Sequence, residues 1–183
     1  MKSETNWLRV TGVEDLERLI RDVPDFPKPG ILFKDIMPLL ADPAGLALAV
    51  ELMVQPFRGR QIDAVVGAES RGFIFGTAVA RELSVGFVPI RKPGKLPGPT
   101  HRYEYALEYG TDALEIQVDA IKPGQQVLII DDLLATGGTL AACAKLVQEL
   151  GGSVMAIAVL IELADLHGRK LLGDHQVYSI LKY

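Results

Sequence analysis

Val127-Leu128-Ile129-Ile130-Asp131-Asp132-Leu133-Leu134-Ala135-Thr136-Gly137-Gly138-Thr139 is the stretch whose reading decides the fold. Its apolar opening run reads as a strand buried on both faces. Two adjacent carboxylates end the run, and a loop of small residues then opens a helix from about Gly138 to Leu150. The amides and threonine hydroxyls of that loop can turn toward a single anion, as helix N-termini and backbone nests do. Glycine there permits close approach and unusual dihedrals. Ionised carboxylates only accept hydrogen bonds, so Asp131 and Asp132 suit the hydroxyls of a sugar diol. As mere turn caps, two acids ending a buried strand would be costly to bury without partners. The loop has neither the Gly-Lys-Ser/Thr ending of a Walker loop nor the G-x-G-x-x-G spacing of a dinucleotide site.

Working outward, strands and helices alternate. Ala64 to Val66 is a short apolar strand that opens into Gly67-Ala68-Glu69-Ser70-Arg71-Gly72. Phe73 to Leu83 reads as helix, Gly86 to Ile90 as the next strand, and Pro93 to Thr100 as loop. Gln126 to Ile130, Val154 to Ile161 and Val177 to Leu181 read as further strands. Val13, Leu16, Leu19, Ile20 and Val23 recur at helical spacing up to Pro24, which ends that helix. Pro24 to Gly30 reads as an extended connection. Asp42-Pro43 starts a second helix, with Leu46, Val50, Met53 and Phe57 as its buried stripe. Apolar strands between helices predict an α/β fold with a central, mostly parallel sheet flanked by helices. Ligands in such folds bind beyond the carboxyl ends of strands, which gathers Glu69 to Gly72, Arg91 onward and Asp131 onward around one crevice.

Composition sets the outer bounds. At 183 residues the chain has the length of one domain, and its net charge of −4 argues against a general nucleic-acid binder. Charge is instead local. Arg91, Lys92, Lys95 and Arg102 form a basic stretch without acids; Glu104, Glu108, Asp112, Glu115 and Asp119 follow without a base. The single Cys143 sits at helical core spacing and reads as a packing residue. The N-terminus lacks a signal-peptide pattern and no run is long enough to span a membrane, so the cytoplasm is the expected location. His101, His167 and His175 share no metal-ligand spacing.

Acid-acid-x-x-x-Thr-Gly-Gly-Thr after an apolar strand resembles the phosphoribosyl-pyrophosphate motif of the type I phosphoribosyltransferases. Glu69 to Gly76, Ile90 to Gly98, and Leu107 to Thr111 with Leu114 to Gln117 resemble the adenine-specific branch. So do Pro24 to Gly30 and Phe33 to Ile36. The resemblance implies a single domain over residues 1–183, with residues 1–36 forming a small N-terminal hood at the base site. It implies transfer of adenine to 5-phosphoribosyl 1-pyrophosphate, yielding AMP and pyrophosphate in purine salvage, with Mg²⁺ carried by the substrate and a homodimer as the working assembly. The expected partners are these small molecules, not nucleic acid or membrane.

Site residues follow from the same resemblance. Ala135, Thr136, Gly137, Gly138 and Thr139 would hold the 5-phosphate, so that Gly137→Val would fill the phosphate's space while sparing the fold. Asp131 and Asp132 would bind the ribose hydroxyls. Ser70 and Arg71 belong to the pyrophosphate loop, where the family often has a cis peptide, here Glu69–Ser70. Arg91, Lys92 and Lys95 look like a pyrophosphate clamp. Ile31, Leu32, Phe33 and Lys34 would enclose adenine. Glu108 would be the catalytic acid–base residue, because the carboxylate found before Thr-Gly in the hypoxanthine-guanine branch is here Ala135. A xanthine or other purine transferase is the alternative within the class. A non-catalytic sensor of phosphoribosyl pyrophosphate is the alternative outside it, though it would leave Glu108 without a task.

Overall fold

The computed structural model describes residues 12–106 and 111–183. The chain divides into two compact units between Leu52 and Met53. In the first, helix α1 (Val13–Arg18) precedes an antiparallel pair, β1 (Arg21–Pro24) and β2 (Leu32–Asp35), and then α2 (Met37–Ala41). The helix expected to run on to Val23 therefore stops at Arg18, and Val23 becomes a strand residue opposite Phe33. Pairing wins over helical spacing here because β1 satisfies its backbone against β2, while Arg21 Nε donates to Asp35 Oδ2 at 3.0 Å. Pro24, lacking an N–H, closes the strand where a donor is least missed. Helix α3 (Pro43–Val54) begins at the expected Asp42-Pro43, and Asp42 Oδ1 accepts the Gly45 N–H at 2.7 Å. Of its expected stripe, Val50, Met53 and Phe57 are buried and Leu46 is partly so.

The second unit carries the sheet. It contains β3 (Ala64–Ala68), α4 (Arg71–Leu83), β4 (Gly86–Ile90), β5 (Thr100–Ala106), β6 (Thr111–Gln117), β7 (Gln126–Leu134), α5 (Gly138–Glu149), β8 (Ser153–Glu162) and β9 (Val177–Lys182). The five-stranded sheet runs β4-β3-β7-β8-β9 with every neighbouring pair parallel. β3 connects to one side through α4, and β7 to the other through α5. Right-handed crossovers in opposite directions put those helices on opposite faces and leave a crevice beyond the ends of β3 and β7.

Side chains alternate accordingly. Val66, Val127, Ile129, Ile157 and Val159 join Leu140, Cys143, Leu146 and Val147 of α5 in one continuous core. Each fully buried aliphatic chain there contributes about 1.5–3 kcal/mol. The Cys143 thiol is fully enclosed, and burial pushes its pKa up, which agrees with a packing role.

Two findings go beyond the sequence reading. Strand β7 continues past the acid pair to Leu134, because Asp131, Leu133 and Leu134 still pair with Val159, Ile161 and Glu162. Thr100–Ala106 and Thr111–Gln117 also pair antiparallel, β5 with β6, where the sequence reading assigned no strand.

Candidate active site

The crevice beyond β3 and β7 holds a cavity of about 410 Å³, lined by Glu69, Ser70 and Arg71 on one side and by residues 131–140 on the other. Asp131, Asp132, Ser70, Arg71 and the whole 135–139 loop are therefore brought together, as the sequence predicts. The Glu69–Ser70 peptide is cis, as the resemblance implies.

Local structure explains each placement. Gly137, at φ +91°, turns the chain from β7 into α5, so the first turn of a twelve-residue helix opens on the cavity. The unpaired amides and the helix dipole make that wall attractive to an anion. On the adjoining wall the two carboxylates are buried. Asp131 Oδ1 accepts the Asp132 N–H at 2.9 Å, and Arg71 Nε lies 2.7 Å from Asp132 Oδ2. Burial, reinforced by the neighbouring Asp132 charge, raises the Asp131 pKa well above the ordinary carboxylate value. Burial raises Asp132 as well, against the opposing pull of Arg71. Such a pair is set to accept hydrogen bonds from hydroxyls that replace lost water.

The basic stretch does not stand free in solvent. Arg91 Nε donates to Glu69 Oε2 at 2.8 Å and Lys95 Nζ to Glu69 Oε1 at 2.6 Å. Burial alone would raise the Glu69 pKa, but these two cations and the Lys92 backbone hold it below its ordinary value. Glu69 thus ties both cations to the rim of the cavity. Sequence reasoning quoted it within a motif and gave it no task; an acid at the end of a strand facing a basic stretch was the available signal. Lys92 pairs instead with Asp112. Asp112 also accepts the Tyr105 hydroxyl at 3.1 Å, and that hydroxyl lies 3.5 Å from Thr139 Oγ1 of the 135–139 loop.

The expected catalytic residue, Glu108, lies outside the described residues, as do the first eleven residues of the expected hood. In the first unit a cavity of about 230 Å³ is lined by Val23, Phe26, Phe33 and Asp35. Phe26 and Phe33 meet edge to face with centroids 5.1 Å apart. Of the expected base-binding residues, only Phe33 lines this cavity. Ile31 and Leu32 are exposed, and Lys34 Nζ lies 2.7 Å from Asp22 Oδ1. Sequence reasoning gave neither Phe26 nor Val23 this place, because Pro24 to Gly30 reads as an extended connection and Val23 reads as the last residue of a helical stripe.

Comparison with known proteins agrees with this geometry. A family model described as the phosphoribosyl transferase domain matches residues 38–182. The adenine phosphoribosyltransferase of Clostridium perfringens is 58% identical over 168 residues, spanning 92% of this chain and 98% of the relative. The solved adenine phosphoribosyltransferase of Thermoanaerobacter pseudethanolicus superposes with a TM-score of 0.91 at 52% identity, over 93% of this chain and 99% of the other. That of Saccharomyces cerevisiae, solved with an iminoaltritol bisphosphate and adenine, gives 0.88 at 40% identity, over 92% and 98% of the two chains. Sheet order, acid pair, the small-residue loop and these likenesses converge, and the chain belongs to the adenine phosphoribosyltransferase family.

Proposed function

We propose that the chain transfers the 5-phosphoribosyl group of phosphoribosyl pyrophosphate to adenine, giving AMP and pyrophosphate, and that the cavity beyond β3 and β7 is where it does so. The observation that carries this is the joining, in one cavity, of a helix N-terminus with a buried acid pair. The loop 135–139 takes the 5-phosphate on its amides and hydroxyls. Asp131 and Asp132 accept the ribose hydroxyls and stay close to the sugar as it gains positive charge. Ser70 and Arg71 receive the departing pyrophosphate, with Arg91 and Lys95 drawn from their shared partner Glu69. Lys92 serves the same anion when it leaves Asp112.

In the transfer, the bond from ribose C1 to the pyrophosphate oxygen breaks and a bond from C1 to adenine nitrogen forms. The proton on that nitrogen passes to Glu108. The aromatic cavity at Phe26 and Phe33 is the candidate base site.

Mg²⁺ fits this donor set. The carboxylates lining the cavity are hard oxygen donors, and two of the three, Glu69 and Asp132, already face cations. An ion carried by the pyrophosphate and its waters, with Asp131 and Asp132 alongside, suits such a site better than an all-protein cage. When bound, it would supply charge neutralisation for the leaving group. A homodimer working in the cytoplasm completes the proposal.

Purified protein, phosphoribosyl pyrophosphate and Mg²⁺ offered adenine, hypoxanthine, guanine, xanthine and uracil separately should release pyrophosphate with adenine alone. Release with xanthine but not adenine would move the chain to the alternative purine class. Donor binding without release for any base would make it a sensor.

A further inference from the structure

Past the end of β8 the chain turns back against the phosphate loop. Leu163 N donates to Leu134 O at 2.9 Å and Ala164 N to Tyr183 O at 2.7 Å, and a short 3₁₀ turn follows from Ala164 to Leu166. His167 then takes a left-handed conformation at φ 52°, and Gly168 lands on the phosphate loop itself. The contact is backbone to backbone from both sides. A Cβ on Gly168 would stand 2.1 Å from Ala135 O, and a Cβ on Gly137 would stand 2.5 Å from Gly168 O. Leu134 Cδ1 would also lie 2.7 Å from that Gly168 Cβ, but the nearest atom on each side is backbone oxygen, so displacement of Gly168 displaces Ala135 or Gly137.

Arg169, the next residue, is anchored at four points. Its Nε and one terminal nitrogen donate to the two Glu162 carboxylate oxygens at 2.6 and 2.7 Å. Its other terminal nitrogen donates to Val177 O at 2.9 Å, and the first also reaches Ser179 Oγ at 3.2 Å. Ser179 Oγ donates to Glu162 Oε2 at 2.6 Å. Glu162 is buried at the end of β8, and Arg169 above all holds its carboxyl down at about 2. A planar fork bound through two parallel bonds fixes direction as well as distance.

We propose that the Glu162–Arg169 pair is a positioning device for the 5-phosphate loop: it pins Gly168 against Ala135 and Gly137, and so sets where the loop's amides point. Neither residue touches the reacting atoms. The proposal rests on the assignment of residues 135–139 to the phosphate. Its distinguishing consequence is selectivity by ligand group. AMP and the ribose-phosphate donor share the 5-phosphate, whereas adenine and pyrophosphate lack it.

The test is calorimetric titration with AMP and with pyrophosphate, alongside steady-state KM values for donor and adenine. Arg169→Ala should weaken AMP and raise the donor KM by the same factor, roughly ten- to a hundredfold, as small misplacements of binding groups do. Pyrophosphate affinity and the adenine KM should hold. Arg169→Lys, which keeps the charge and loses the fork, should fall between. Gly168→Ala leaves the ion pair intact and wedges the loop directly, so it should reproduce the selective loss. Lys182→Ala, which removes a cation 4.0 Å from Glu162 Oε2 and leaves the Arg169 fork and Gly168 in place, should behave as wild type.

Folded Arg169→Lys and Gly168→Ala proteins with wild-type AMP affinity overturn the proposal, and so do losses spread equally over all four ligands. If Arg169→Ala does not fold, those two variants decide. A wild-type protein that binds pyrophosphate but not AMP refutes the loop assignment, and the proposal with it.

Discussion

Gly137 shows how a residue can be chosen for the right loop and the wrong neighbour. The sequence points to it as the place where a side chain would occupy the phosphate's space. In the structure a Cβ there meets the Gly168 carbonyl oxygen instead, at 2.5 Å, on a backbone at φ +91°. Gly137→Val should therefore abolish donor binding by displacing protein, not by excluding ligand, with a fall in melting temperature as well. Thermal denaturation beside donor titration checks this; an unchanged melting temperature would restore the original explanation. Glu108 carries the second prediction at this scale. Glu108→Gln should lower turnover with adenine by roughly 10²–10⁴-fold, the worth of positioned acid–base catalysis, with little change in donor affinity. Near-normal turnover would make Glu108 a bystander.

Among the elements, the β5–β6 pair was the least legible. A basic stretch followed by an acidic one reads as two surface patches. In the structure the two stretches fold onto each other: Arg91 and Glu115 exchange backbone hydrogen bonds at 3.0 and 2.7 Å, Lys92 pairs with Asp112, and Arg102 stands opposite Glu115. The period-two signal is weak because Ala113, Leu114, Glu115 and Ile116 are all buried in succession. By contrast β4 is found at Gly86–Ile90, as read, since an apolar run between a helix and a Pro-Gly loop leaves little choice. Strand β7 was cut short at Ile130 because acids normally end a buried strand, whereas here the cavity gives them something to face.

The β8–β9 region supplies an acid-stability prediction. Glu162 titrates at about 2 when folded, against an ordinary 4.5. Its contribution is complete above the unfolded value and is lost as pH falls from 4.5 toward 2. Asp131 and Asp132 have the opposite sign, since raised folded pKa values make the folded state gain from protonation. Melting curves across this range should show Glu162→Gln less stable than wild type at neutral pH, with the gap closing in acid. A gap that does not narrow would mean the ion pair does not titrate as a unit.

At the scale of the whole molecule, a mostly parallel sheet flanked by helices was legible in the sequence because β3, α4, β4 and β7, α5, β8 are apolar runs separated by helical patterns. The order β4-β3-β7-β8-β9 comes from the structure. The two-unit organisation and the return of Gly168 were not legible, since they depend on contacts between segments far apart in the chain. The one thiol in the molecule has a practical consequence. Cys143 is wholly enclosed between α5 and the sheet, and it is the chain's only cysteine, so each polypeptide has a single labelling site that is shut while the core is closed. A thiol-specific reagent then becomes a clock for core opening. Its modification rate at low denaturant should follow the population of opened protein. Saturating donor should slow that clock by the factor that mass action assigns to binding the closed form, (1 + [L]/Kd), which yields a dissociation constant without any turnover. Rapid labelling of native protein, insensitive to donor, would show that α5 opens independently of the site it helps to build.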